Sequence, residues 1–118
     1  MTDKEGPRPR YRWVKDGPSD TGFHAYDGER GFGRLIQPPN DPSNSWEWNL
    51  TCLHGLKKNP TLIVGWYGRA ETSRLGAKAC EDAYENFMAG KLRGMVPEDI
   101  EDVLALERRM KSRREEAE

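Results

Sequence analysis

Apolar residues fall on every second position of Ser45-Trp46-Glu47-Trp48-Asn49-Leu50-Thr51-Cys52, with Ser45, Glu47, Asn49 and Thr51 in the gaps. A strand sends successive side chains to opposite faces. The period therefore predicts a strand over roughly residues 45–53, apolar on one face and polar on the other. Two tryptophans on one face are a large apolar payload for a small core.

The same pattern, more weakly, predicts other strands. Tyr11 and Trp13 share one side of an edge strand over 11–14. Asp16-Gly17-Pro18-Ser19-Asp20 is turn chemistry, and Phe23-His24-Ala25-Tyr26 follows it. Asp27-Gly28 leads into Gly31-Phe32-Gly33-Arg34-Leu35-Ile36-Gln37, a strand whose glycines permit close packing or a bulge. Pro38-Pro39-Asn40-Asp41-Pro42 ends it. A last strand is expected at Thr61-Leu62-Ile63-Val64-Gly65-Trp66-Tyr67.

After Gly68 the period lengthens. Leu75, Ala79, Ala83 and Phe87 recur every fourth residue, with Cys80 and Tyr84 beside them, and predict one helical stripe. Thr72 or Ser73 suits its N-cap and Gly90 its stop. Pro97 opens a second helix, with Glu98, Asp99, Glu101 and Asp102 at its positive end and Arg108, Arg109 and Lys111 later. Its apolar stripe is thin: Ile100, Val103, Leu104 and Met110, with Leu106 to the side; residues 113–118 are expected to fray.

These elements predict an α+β fold. A three- to four-stranded antiparallel sheet carries one helix on its apolar face, and a charged C-terminal helix follows. Hairpin-length connections favour a meander over parallel crossovers. The expected organisation is a flexible basic arm over 1–10, a sheet-and-helix domain over 11–90, and a linker with the charged helix over 91–118.

A chain of 118 residues, 33% charged and 35% hydrophobic, supports one modest core. No apolar run approaches the ~20 residues of a bilayer span. The N-terminus has no apolar leader core, so a cytoplasmic location without membrane partners is expected. Cys52 and Cys80 both fall on apolar faces, where free cysteine acts as a small hydrophobe. The net charge of −1 conceals a gradient: residues 1–15 carry five basic groups against two acidic, while residues 97–118 carry eight acidic against five basic. A basic arm suits nucleic acid or an acidic protein.

Tyr26-Asp27-Gly28, Gly33-Arg34-Leu35, Trp46-Glu47-Trp48 and Ala83-Tyr84 occur in that order. The order resembles a group of short, uncharacterised proteobacterial and prophage-type proteins with Tyr-Asp-Gly, Gly-Arg-Ile, Trp-x-Trp and Ala-Tyr segments. The resemblance covers about residues 11–90. It implies no activity and no functional residues, and Leu35 stands where isoleucine is usual in the group.

Candidate chemistry is sparse. Cys52 and His54, with His24 and Cys80, would supply four zinc ligands, but their spacing matches no common paired motif. A cysteine–histidine nucleophile would need a thiol outside the core. Gly28-Glu29-Arg30-Gly31-Phe32-Gly33 leads into a strand and lacks the helix N-terminus that holds a phosphate, so a hairpin turn is expected. The paired carboxylates Glu98-Asp99 and Glu101-Asp102 suit a helix dipole. The expectation is a non-enzyme with no cofactor and no metal.

Two binding modes remain. In the first, the polar sheet face and the basic arm bind nucleic acid through Arg8, Arg10, Arg12, Arg34, Asn49, Thr51, Lys57 and Lys58. Glu47 at the centre of that face opposes phosphate, and stacking on RNA would need Trp13, Tyr26 or Tyr67 exposed. In the second, the chain is a protein-interaction module, a host-protein inhibitor or a self-associating homodimer. There the thin stripe Ile100, Val103, Leu104 and Met110 makes the contact.

Overall fold

The computed structural model describes residues 7–18, 21–55 and 63–117. Five strands form one antiparallel sheet in chain order: β1 (Arg12–Lys15), β2 (Gly22–Asp27), β3 (Arg30–Ile36), β4 (Trp46–Leu50) and β5 (Tyr67–Ala70). Two helices follow, α1 (Ser73–Met88) and α2 (Pro97–Ala117). The antiparallel α+β meander is thus as expected, with one strand more than the three or four foreseen.

The tryptophan strand places Trp46, Trp48 and Leu50 in the core and leaves Glu47 and Asn49 half-buried. It ends at Leu50 because Cys52–Gly55 turns into a short 3-10 helix. The last strand lies later than expected. Gly65 has φ +85°, which breaks an extended run, and the Val64 N–H donates to the Arg93 carbonyl instead of a strand neighbour. Ile63 enters the core while Val64 is exposed. Thr61 and Leu62 lie outside the described residues.

Between β2 and β3, Gly28 at φ +64° makes the tight hairpin expected of Asp27-Gly28. A register shift beside Ala25 and Tyr26 pairs Tyr26 with Gly31 and Ala25 with Gly33. This bulge lets both Phe32 and Gly33 face the helix. Phe32 stacks on Tyr84 with ring centroids 4.0 Å apart, and Tyr11 meets both rings edge-on.

The first helix is capped by Thr72, whose hydroxyl accepts the Leu75 N–H at 3.1 Å, and Gly90 at φ +71° ends it. Cys80, Ala83, Tyr84 and Phe87 of the expected stripe are buried, but its first turn is displaced from the exposed Leu75 to Gly76 and Ala77. The reason is close approach. A Cβ at Gly33 would collide with Cys80 Sγ, and one at Gly76 would lie 2.6 Å from Leu35 Cδ1. Small residues therefore set which side of α1 meets the sheet.

The second helix is continuous through Ala117, past the expected fraying point. It begins with Pro97, and the Asp99 carboxylate accepts the Val96 N–H at 3.1 Å. It docks on the domain: Val103 is 1% exposed, and Ile100 packs where a Cβ on Gly90 would stand. Among the described residues no helix is long and apolar enough to cross a membrane.

Candidate functional site

The strand registers align one row of side chains across the whole sheet. Val14 pairs with His24, His24 with Arg34, Arg34 with Asn49, and Asn49 with Tyr67. All five share one face because paired residues in adjacent strands point the same way. A second row runs from Ile36 through Glu47 to Arg69, and a third joins Arg12 to Tyr26. Trp46, Trp48 and Leu50 lie on the opposite face, under α1. The outer face is open: Tyr67 is 64% exposed, and the side chains of His24, Arg34, Glu47 and Arg69 are about half exposed.

Charges on this face are mixed. Asp16 lies 3.5 Å from His24 and 3.7 Å from Arg34, while Arg69 pairs at 3.0 Å with both Asp41 and Glu47. Hydrogen bonds from Ser43, helped by the Arg69 charge, hold Asp41 below its ordinary carboxylate range. The Arg12 guanidinium lies over the Tyr26 ring at 4.6 Å and donates to the Gly28 carbonyl. Trp66 meets Tyr67 edge-on at 4.8 Å.

The proposed nucleic-acid residues are thus divided. Arg12, Arg34 and Asn49 stand together on the open face. Arg8 is exposed. The Thr51 N–H is engaged by the Phe32 carbonyl at 2.8 Å, where the chain leaves the sheet. Lys57 and Lys58 lie outside the described residues.

Arg10 belongs to a different structure. The Glu81 carboxylate, 1% exposed on α1, accepts the backbone N–H groups of Arg10 and Tyr11 and the indole N–H of Trp13, at 2.9–3.2 Å. The Arg10 guanidinium pairs with Asp82 at 2.6 Å and Glu85 at 3.3 Å. Partial burial works against the charged form of Asp82, but hydrogen bonds from Lys78 and Arg10 outweigh it and hold its pKa low. Tyr11 donates to Glu85; burial, then that bond, pushes its phenol up to about 12. The end of the expected arm is therefore clamped to α1. Sequence reasoning missed Glu81, whose signal was a carboxylate directly beside the buried Cys80.

The proposed interaction stripe does not form one surface. Val103 is core, Ile100 covers Gly90, and Met110 lines a cavity of about 310 Å³ with Tyr11, Tyr84 and Met88. Only Leu104, 43% exposed, points clearly outward.

Neither metal nor thiol chemistry assembles among the described residues. His24 lies on the open face and Cys80 under the helix, so the four ligands considered do not converge. Both cysteines are free and buried. Burial pushes the Cys52 thiol up to about 12 and raises Cys80 as well, which removes the thiolate a nucleophile needs. Compared with family models, curated proteins and solved structures, the chain matches none.

Proposed function

We propose that this chain is a small non-enzymatic binding protein whose open sheet face holds single-stranded nucleic acid. One observation carries this reading. Tyr67 stands 64% exposed at the end of a row that also holds Asn49 and Arg34, on a face no helix covers. An exposed aromatic ring stacks on any base, and arginine and asparagine beside it serve phosphate and base edges. Arg12 over Tyr26 extends the surface toward β1. A regulatory role in a bacterium or prophage is part of the proposal; the family resemblance supports only the bacterial or prophage setting.

Asp16 and Glu47 offset the arginines, so stacking rather than bulk charge supplies the affinity. Two phosphate contacts on a single strand imply a log–log salt slope of about −1.4. Fluorescence anisotropy with mixed-sequence single-stranded DNA and RNA tests this. Tyr67→Ala is expected to weaken binding about tenfold, since a base–aromatic stack contributes ~1–3 kcal/mol. Arg10→Ala is expected to leave it unchanged. Absence of binding to either oligonucleotide, or an affinity indifferent to Tyr67→Ala, would reject the reading.

A further inference from the structure

Arg30 opens β3 on the helix side of the sheet, and its Nε is buried with no hydrogen-bond partner, the one such side-chain N or O found among the described residues. A buried donor left without an acceptor is costly, so an unpaired guanidinium N–H asks for an explanation. Beside it lies a cavity of about 80 Å³, walled by Arg30, Cys52 and Phe87 on one side and by Asp102, Val103 and Arg109 of α2 on the other. One water takes ~30 Å³ of liquid, so the space exceeds a single water. Among the described lining residues, two guanidinium groups stand against one carboxylate.

We propose that this cavity is a site for a small tetrahedral oxyanion, a phosphate or sulfate group, held between Arg30 and Arg109. Guanidinium groups present planar forks of N–H donors that match such oxygens. Arg30 belongs to the sheet and Arg109 to the second helix, so the bound anion bridges them. It reinforces the docking of α2, in which Val103 is the one fully buried apolar residue among those described. The site lies across the sheet from Arg34, Asn49 and Tyr67 and stands or falls independently of the nucleic-acid reading.

Calorimetric titration with inorganic phosphate, sulfate and phenyl phosphate, in chloride buffer of matched ionic strength, tests the site. One phosphate per chain is expected to bind saturably, with a rise in melting temperature. Arg30→Gln and Arg109→Gln are each expected to weaken it about tenfold, the equivalent of ~1.4 kcal/mol. Arg109 is exposed, so its variant keeps the test valid if Arg30→Gln fails to fold. Binding of phenyl phosphate as tight as inorganic phosphate would assign the site to a phosphomonoester; weaker binding would assign it to the free ion. No saturable binding, equal binding by Arg109→Gln, or the same stabilisation of all three proteins by sulfate would overturn the proposal.

Discussion

On the helix side of β4, Trp46 and Trp48 are at most 9% exposed, in a layer closed by Phe32, Tyr84 and Phe87. On the other side of the same strand, Glu47 and Asn49 stand in rows with Arg69, Arg34 and Tyr67, of which Tyr67 is 64% exposed. The backbone is common to both faces, so the difference lies wholly in the side chains. The covered face is aromatic and glycine-fitted, and it sets the fold. The open face is polar, partly ion-paired and aromatic at its edge.

The largest test of this contrast is Trp46→Ala. Removing a fully buried indole is expected to cost about 3–5 kcal/mol, read as a lowered denaturation midpoint. Glu81→Ala comes next, at about 2 kcal/mol, because it leaves the N–H groups of Arg10, Tyr11 and Trp13 without their acceptor. The loss is capped because the segment before β1 is able to peel into water, and faster proteolysis near Arg10 is the expected signature. On the open face, Arg34→Ala and Asn49→Ala are each expected to change stability by no more than about 0.5 kcal/mol. A drop as large as that of Trp46→Ala would erase the distinction between the faces.

Smallest near neutrality is the effect of pH, which grows only above pH 9. The Cys52 thiol has its pKa raised from 9.0 to about 12 by burial. Above pH 9 the unfolded thiol loses its proton while the folded one keeps it, so the unfolded state binds fewer protons and stability falls as pH rises. This stabilising contribution is whole below pH 9 and is lost progressively toward pH 12. At neutral pH a thiol-specific reagent is expected to label neither cysteine until denaturant is added.

Much of the covered face was legible because a period-2 run with two tryptophans has one economical solution. The Thr72 cap, the Gly90 stop and the Asp27-Gly28 hairpin were legible for the same kind of reason, since each rests on local backbone chemistry. The stripe of α1 was legible from Cys80 to Phe87 and misjudged only at Leu75, because Gly76 chooses the contact by what it lacks. The fifth strand was misplaced because alternation through Ile63 and Val64 says nothing about the left-handed Gly65. The open face was only half legible. Arg34 and Asn49 are visible as polar strand positions, but their alignment with His24 and Tyr67 depends on register across separate hairpins. Arg10 looked like a free cation because its partners lie some seventy residues away.

The α2 stripe shows the same limit. Val103→Asp would disrupt the core and says nothing about a partner, so Leu104→Asp is the informative variant. If light scattering finds an assembly that Leu104→Asp dissolves, α2 is an interface; a monomer before and after removes self-association.

The central claim is that the open face, rather than α2, meets the ligand. Backbone amide shift mapping by NMR during titration with a single-stranded oligonucleotide tests it most directly. The account predicts shifts at Val14, His24, Arg34, Asn49 and Tyr67, with Ala25, Leu35 and Phe87 unmoved. Shifts confined to the neighbourhood of Leu104, or none at saturating oligonucleotide, would contradict it.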